Sequence, residues 1–266
     1  MTRTILMINL TSNRAKLRAL AYINTQMEAI EKAFTREINL IFIKQYNAIA
    51  DFIEIGGNDI DFILNQTILY FESVFKKQYT RIYVVFGNII FDSLGEGKAA
   101  NMYQAKSIRD IYLAVMAEWV RSHMAERLVR IFRTTKKKIA KLIGDMKLEG
   151  YSNREIAKEI RATAPTINKA RAATIARTET HTAAMKSTSE AMASTRLKYN
   201  KEWVSAMDAR TRKKQFNHQL ANGETVGKTE MYYNTGEPML YPGWEKGSAG
   251  NVINCRCVEI YHTIEQ

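Results

Sequence analysis

Apolar side chains recur at alternating spacings of three and four from Leu20 through Ile23, Met27, Ile30 and Phe34, and Ile38, Ile41, Ile49 and Phe52 prolong that face. This period predicts one long amphipathic helix over residues 13–54. Gly56-Gly57 ends it, and Asn58 or Asp59 is placed to cap the next helix. A second stripe of Ile60, Leu64, Ile68, Phe71, Phe75, Ile82, Phe86 and Ile89 predicts a helix from Ile60 to about Leu94. Its aromatic and β-branched centre, Tyr79 to Phe91, also fits a strand, because a short apolar run does not settle the period. Helix is the reading adopted. Gly95-Glu96-Gly97 supplies the next break, and a third long helix is expected from about Ala99 to Ile143, with Ile111, Val115, Trp119, Leu128 and Phe132 inward. All three prolines (Pro165, Pro238 and Pro242) lie beyond this region, so none interrupts these helices.

After Gly150 the texture changes. Ser152-Asn153-Arg154-Glu155 is a capping box that opens a short helix to about Arg161. Residues Ala162 to Ala164 are expected to break it, with Pro165 as the first residue of a further helix to about Thr195. From Lys201 onward Trp203 to Met207, Met231 to Tyr233 and Val252 to Tyr261 read as strands between glycine-containing turns. The fold class is therefore α+β. Residues 1–148 form a long-helix region, a bundle or an extended arm, and residues 149–266 a compact α+β domain with a small antiparallel sheet.

Composition leaves that picture intact: 46% hydrophobic and 25% charged residues over 266 positions suit a globular protein. The densest apolar run, Ile82 to Phe91, is far shorter than a membrane span and contains Gly87 and Asn88. No cleavage-type signal precedes residue 15, so secretion is not expected and synthesis in the cytoplasm is the default.

Charge adds something the pattern does not. Residues 127–214 hold 22 Lys/Arg against 8 Asp/Glu, whereas residues 1–126 hold 14 against 13 and residues 215–266 hold 3 against 6. Such clustering is the footprint of a polyanion partner, and double-stranded DNA fits it. Arg127, Arg130, Arg133, Lys136, Lys137, Lys138, Lys141, Arg154, Lys158, Lys169 and Arg171 are the candidate contacts. A solvated helix face is the plainer reading of the same charges. Glu155-Ile156-Ala157 with Ile160, then Pro165-Thr166-Ile167, also imitates a helix-turn-helix, which would carry Thr166, Asn168, Lys169 and Arg171 to base edges. Two helices about a short turn are common in α-rich domains, so sequence-independent backbone binding fits the segment better.

Chemistry-bearing residues gather late in the chain. Asp208, Arg210, Arg212 and His218 are the types an RNase-like nuclease needs, with His218 as acid or base beside a stabilised phosphate. No second acid or base stands at a matching position, and polar residues around tight turns often serve as caps. Cys255 and Cys257, the only cysteines, would share one face of a strand and could hold zinc with His218 and either His262 or Asp208. A lone C-x-C is a weaker zinc signal than paired C-x-x-C knuckles, so buried thiols and no cofactor are the default.

Taken in order, Ala176-Arg177-Thr178-Glu179-Thr180, Trp203 to Asp208, Arg210-Thr211-Arg212, His218, Leu240 with Pro242-Gly243, and Asn254-Cys255-Arg256-Cys257 resemble the phage Mu F-like family of minor head, or head morphogenesis, proteins. The resemblance covers roughly residues 150–263. It implies structural roles for Arg177, Thr178, Glu179, Trp203, Asp208, Arg210, Arg212, His218, Asn254, Cys255, Arg256 and Cys257. It further implies a non-enzymatic component of a tailed-phage head, near the portal vertex of the virion, with the portal protein and major capsid or scaffolding proteins as partners. Roles in assembly, DNA packaging or ejection follow from that placement. Family members can carry toxin or enzyme domains after the shared region, and with the sequence ending at Gln266 no such addition is expected.

Overall fold

The computed structural model describes residues 7–94, 106–195 and 197–264. Helix α1 spans Asn13–Glu54 and α2 spans Ile60–Leu94, so Tyr79 to Phe91 is helical. Asp59 caps α2, its carboxylate accepting from the Asp61 N–H at 3.0 Å. Helix α3 spans Lys106–Leu148; its expected start at Ala99 and the Gly95-Glu96-Gly97 break lie outside the described residues. Among the described residues no helix is long and apolar enough to cross a membrane.

The face that α3 buries is rotated from expectation. Tyr112, Met116, Val120, Leu128, Ile131 and Ile139 are buried, while Ile111 and Val115 face outward and Trp119 and Phe132 are half-buried. Rows at 111/115/119 and 112/116/120 are neighbours and both apolar, so the period alone does not choose between them. Packing does: Phe91 meets Tyr112 edge-to-face at 5.5 Å, and the Tyr112 hydroxyl donates to the Tyr83 carbonyl at 2.6 Å.

Helix α4 runs unbroken from Asn153 to Ser194, which removes the turn that a helix-turn-helix requires. The capping box forms as expected, the Ser152 N–H donating to Glu155 at 2.8 Å. Pro165 withholds one backbone donor, yet it sits exposed on the helix surface. Just before it, the Thr163 hydroxyl donates to the carbonyls of Glu159 and Ile160. A buried row holds the helix on both sides of the proline: Ile156, Ile160, Ala164, Asn168, Ala172, Ala176, Thr180, Ala184, Thr188 and Met192, at a constant interval of four. Each step of four advances about 40° around a helix of about 3.6 residues per turn. The buried face therefore winds around α4, and from Thr178 to Met185 every side chain is enclosed.

Three strands follow, β1 (Tyr199–Val204), β2 (Thr225–Gly227) and β3 (Val258–Thr263), in the antiparallel order β2-β1-β3. The expected strand at Met231 to Tyr233 is only a single bridge, Tyr232 to Met239. The expected strand from Val252 begins only at Val258, because Ala249–Val252 forms a helical turn, α5, and Asn254 adopts φ 58. Asn254-Cys255-Arg256-Cys257 is thus the lead-in to β3. Likewise the first strand stops at Val204, ahead of Met207 at φ 53.

A boundary near residue 148 follows the change of texture along the chain; compactness groups the residues differently. One unit draws on the described residues of Met1–Ile30, Tyr79–Glu118 and Arg177–Gln266, the other on Glu31–Gln78 and Trp119–Ala176. The first holds the sheet, and Ile8 adds a parallel bridge to Tyr261 beside β3. The second is an all-helical body. Phe34 meets Phe75, Phe42 meets Phe71, and Phe71 meets Phe132, each edge-to-face at 5.0–5.3 Å. At its other end Tyr46, Ile49, Ile53, Ile60, Leu64, Ile139, Ile156 and Ile160 form an aliphatic cluster.

Candidate functional site

The late motifs meet in the sheet-containing unit. Arg177 donates to the Asn254 side-chain oxygen at 3.3 Å, and the Asn254 N–H donates to the Thr178 hydroxyl at 3.3 Å. The buried Glu179 carboxylate accepts from the Tyr79 hydroxyl at 2.8 Å. Further along the helix, His181 Nε2 donates to the Cys257 carbonyl at 2.8 Å, and the Thr182 hydroxyl to the Gly243 carbonyl at 2.8 Å. Pro242-Gly243 and the approach to β3 are thereby laced to α4 by hydrogen bonds. Gly243 stands at φ +74, and a Cβ there would overlap the His181 imidazole. Gly243→Ala combines left-handed strain with that overlap and is expected to destabilise the protein by about 2–4 kcal/mol. Denaturant unfolding checks this, and a loss under about 0.5 kcal/mol would contradict the packing described.

Asp208, Arg210, Arg212 and His218 separate into two networks. Asp208 accepts from Arg256 at 3.0 and 3.1 Å, from the Arg210 side chain at 3.2 and 3.3 Å, and from the Arg210 N–H at 3.0 Å. Partial burial works to raise its pKa, but the Arg256 charge and these hydrogen bonds outweigh it and hold the carboxyl below the ordinary aspartate value. Arg212 donates to the Ile253 carbonyl. Asp208 and its arginines, with Arg212, thus brace the turn after β1 against the segment entering β3.

His218 belongs to the interior and is 2% exposed. Its ring meets Trp203 edge-to-face at 5.3 Å, and its backbone carbonyl accepts from the Ser205 hydroxyl. The Asn251 amide nitrogen is engaged by Glu237 at 3.0 Å, which turns its oxygen toward His218 Nε2. Nε2 carries the proton and donates, so Nδ1 presents a lone pair. That lone pair faces Cys257 Sγ at 3.4 Å and Cys255 Sγ at 3.6 Å. Burial pushes the Cys257 thiol well up. For Cys255 burial acts the same way, but hydrogen bonding from Cys257 and the Arg212 charge bring its thiol below the ordinary value. A cavity of about 10 Å³, bordered by His218, Cys257, Arg210, Arg212 and Arg256, adjoins the cluster. That is room for about one water. His262 is not in the cluster: it bonds Glu202 at 2.8 Å on the sheet. Asp208 is taken by its arginines.

The basic residues lie in the all-helical unit. Arg130, Arg133, Lys137 and Lys141 are exposed along one stripe of α3, with Lys136 and Lys138 beside it and Arg154, Lys158 and Lys169 exposed on α4. Lys136 pairs with Asp61, Lys141 with Asp145 at 2.6 Å and Arg130 with Glu126 at 3.8 Å. Exposed pairs of this kind are worth little and exchange readily for phosphate. Arg127 is half-buried. Arg171 departs from the expected set: it donates to the Thr135 hydroxyl and the Ile131 carbonyl, both at 2.8 Å, and stacks on Phe42 at 4.5 Å. An Arg spaced like a surface residue is here a core strut. Asn168, another base-reading candidate, is fully buried.

Some partners gave no sequence signal. Asn251 and Glu237, which orient His218, read as turn residues. Glu259 and Lys201 sit on strands where a charge reads as solvent-facing, yet Glu259 accepts from Tyr232 at 3.1 Å and Tyr261 at 3.0 Å, and its burial raises its carboxyl pKa.

No curated protein and no solved structure matches the chain. Residues 137–260, just under half of the chain and reaching from the basic end of α3 into β3, match the family described as phage Mu protein F like protein, which bears out the resemblance carried by the motif series.

Proposed function

We propose that this chain is a structural minor head protein of a tailed phage, acting in head morphogenesis beside the portal and touching packaged DNA without regard to sequence. The family match over residues 137–260 carries the reading. Two features of the molecule support its details. Exposed cations on α3 and α4 offer a polyanion a run of donors, on helices without the turn of a groove-reading motif. Large apolar side chains left exposed on the long helices, Leu40 at 53%, Leu69 at 69% and Val129 at 64%, suit anchoring to another head subunit. The motif residues then serve as scaffold, since His218 and Asp208 are consumed by partners within the unit. Particles purified from cells producing the phage are expected to contain the chain at low copy relative to the major capsid protein. Quantitative mass spectrometry of assembled heads checks this, and complete absence from them would overturn the proposal.

A further inference from the structure

From the geometry of the buried cluster we infer that Cys255, Cys257 and His218 bind one zinc ion, whose fourth position opens onto the water-sized cavity beside Arg210 and Arg212. Three observations converge. First, the Sγ atoms and the imidazole nitrogen all lie within 4.8 Å of one another, and all three residues are buried. Second, ligands at tetrahedral zinc, with Zn–S of about 2.3 Å and Zn–N of about 2.0–2.1 Å, stand about 3.5 Å apart from sulfur to nitrogen. The distances from His218 Nδ1 to the two sulfurs are 3.4 and 3.6 Å. Third, the support behind the ligand is already built. His218 gives its other N–H to Asn251, which is held in turn by Glu237, and Glu237 also accepts from the Ser248 N–H at 2.8 Å. Outer hydrogen bonds of this kind select the tautomer and aim the lone pair at a metal.

The cavity supplies the remaining ligand. It borders His218 and Cys257, and its volume of about 10 Å³ accommodates one water, so a metal-bound water completes the four-coordinate shell. Two thiolates balance the charge of the ion, and the two thiol protons leave to solvent on binding. Zinc placed there ties the His218 segment to the lead-in of β3, a junction otherwise spanned by side-chain hydrogen bonds and by the packing of Trp203.

The test uses the full chain, reduced and stripped of metal. Zn2+ is expected to bind at one ion per chain, to raise the thermal midpoint, and to protect both cysteines from a thiol reagent; a chelator reverses all three. Co2+ as a probe is expected to give the intense bands of a tetrahedral site with thiolate-to-metal charge transfer. His262→Ala keeps this behaviour, and Cys255→Ser with Cys257→Ser abolishes it. Should the double variant fail to fold, the wild-type stoichiometry and thiol protection decide alone. Failure of the stripped chain to take up Zn2+ or Co2+, binding that leaves both thiols reactive, or retention of binding by the double serine variant would overturn the inference.

Discussion

Trp203→Ala is expected to cost about 3–5 kcal/mol, the range for emptying a large aromatic site in a core. Trp203 has no exposed surface, and it joins the His218 segment to the lead-in of β3. Its ring meets His218 and Tyr232 edge-to-face, each at 5.3 Å, and packs with Met239, Val252, Cys255 and Cys257. Its indole N–H donates to the Ser205 hydroxyl at 3.1 Å. Alanine would leave a cavity among groups held by separate hydrogen bonds, so collapse to fill it is costly. A domain is commonly stable by about 5–15 kcal/mol, so the variant loses a large share of that margin. Denaturant unfolding followed by near-ultraviolet circular dichroism measures it. Trp203→Phe retains an aromatic ring but loses the N–H bond and part of the buried indole volume, and its cost is expected to be smaller than that of alanine. An alanine variant within about 1 kcal/mol of wild type would mean that Trp203 does not anchor this core.

Reversing charge at Arg133, Lys137 and Lys141 is expected to weaken binding to duplex DNA by at least about 100-fold at low salt. Each neutralised phosphate contributes about 0.9 to the slope of log affinity against log salt, so the slope falls by about three. The three residues occupy one stripe of α3, all exposed. Glu forms helix nearly as well as Lys, so the helix itself persists. Lys141→Glu, one turn before Asp145, adds a like-charge pair that costs about a few tenths of a kcal/mol, which an unchanged melting profile would show to be harmless. Unrelated duplexes should lose affinity equally, because backbone contacts carry no sequence information. Arg171→Met serves as the contrast, expected to lower stability while leaving the slope unchanged. A triple variant with the wild-type slope would remove the stripe from the DNA-binding surface.

The parts of this molecule that were legible in sequence are those where one physical signal acts alone. Helices α1 and α2 follow their apolar stripes closely, and the Gly56-Gly57 break with Asp59 beyond it falls where the residues place it. Legibility fails where two signals compete. Around Ile111 to Met116 adjacent rows are both apolar, and only the seat of Tyr112 selects one. At Pro165 the local penalty is real, but a row of buried residues extending on both sides outweighs it. The stretch Thr178 to Thr182 is the hardest to read. Its hydroxyls, Glu179 and His181 look solvent-facing by polarity, yet they are enclosed, and Glu179, His181 and Thr182 each reach a partner distant in sequence.

The candidate sites divide in the same way. Cys255, Cys257 and His218 could be nominated from residue type, since few side chains bind soft metals. His262 is of the same type, but on β3 it lies opposite Asn200 and reaches diagonally to Glu202, away from the cysteines. Arg171 illustrates the converse, a cation whose spacing suggested a surface and whose aliphatic stem and planar head suit a packed interior.

The bridge from Ile8 to Tyr261 has a consequence for how the chain is made. Asn9 N–H donates to the Tyr261 carbonyl at 2.7 Å, and the Tyr261 N–H donates to the Met7 carbonyl at 3.0 Å. During synthesis the first of these residues leaves the ribosome long before its partner exists. The sheet-containing unit therefore closes only after Tyr261 has been translated, whereas every segment of the helical body has been made by Ala176. Closing so long a loop adds little entropy cost per extra residue, but it delays the event. Until then the parts of α1 up to Ile30 and of α4 from Arg177 onward, which belong to the same unit, await a completed sheet, a nascent-chain interval in which a ribosome-associated chaperone has the most surface to shield.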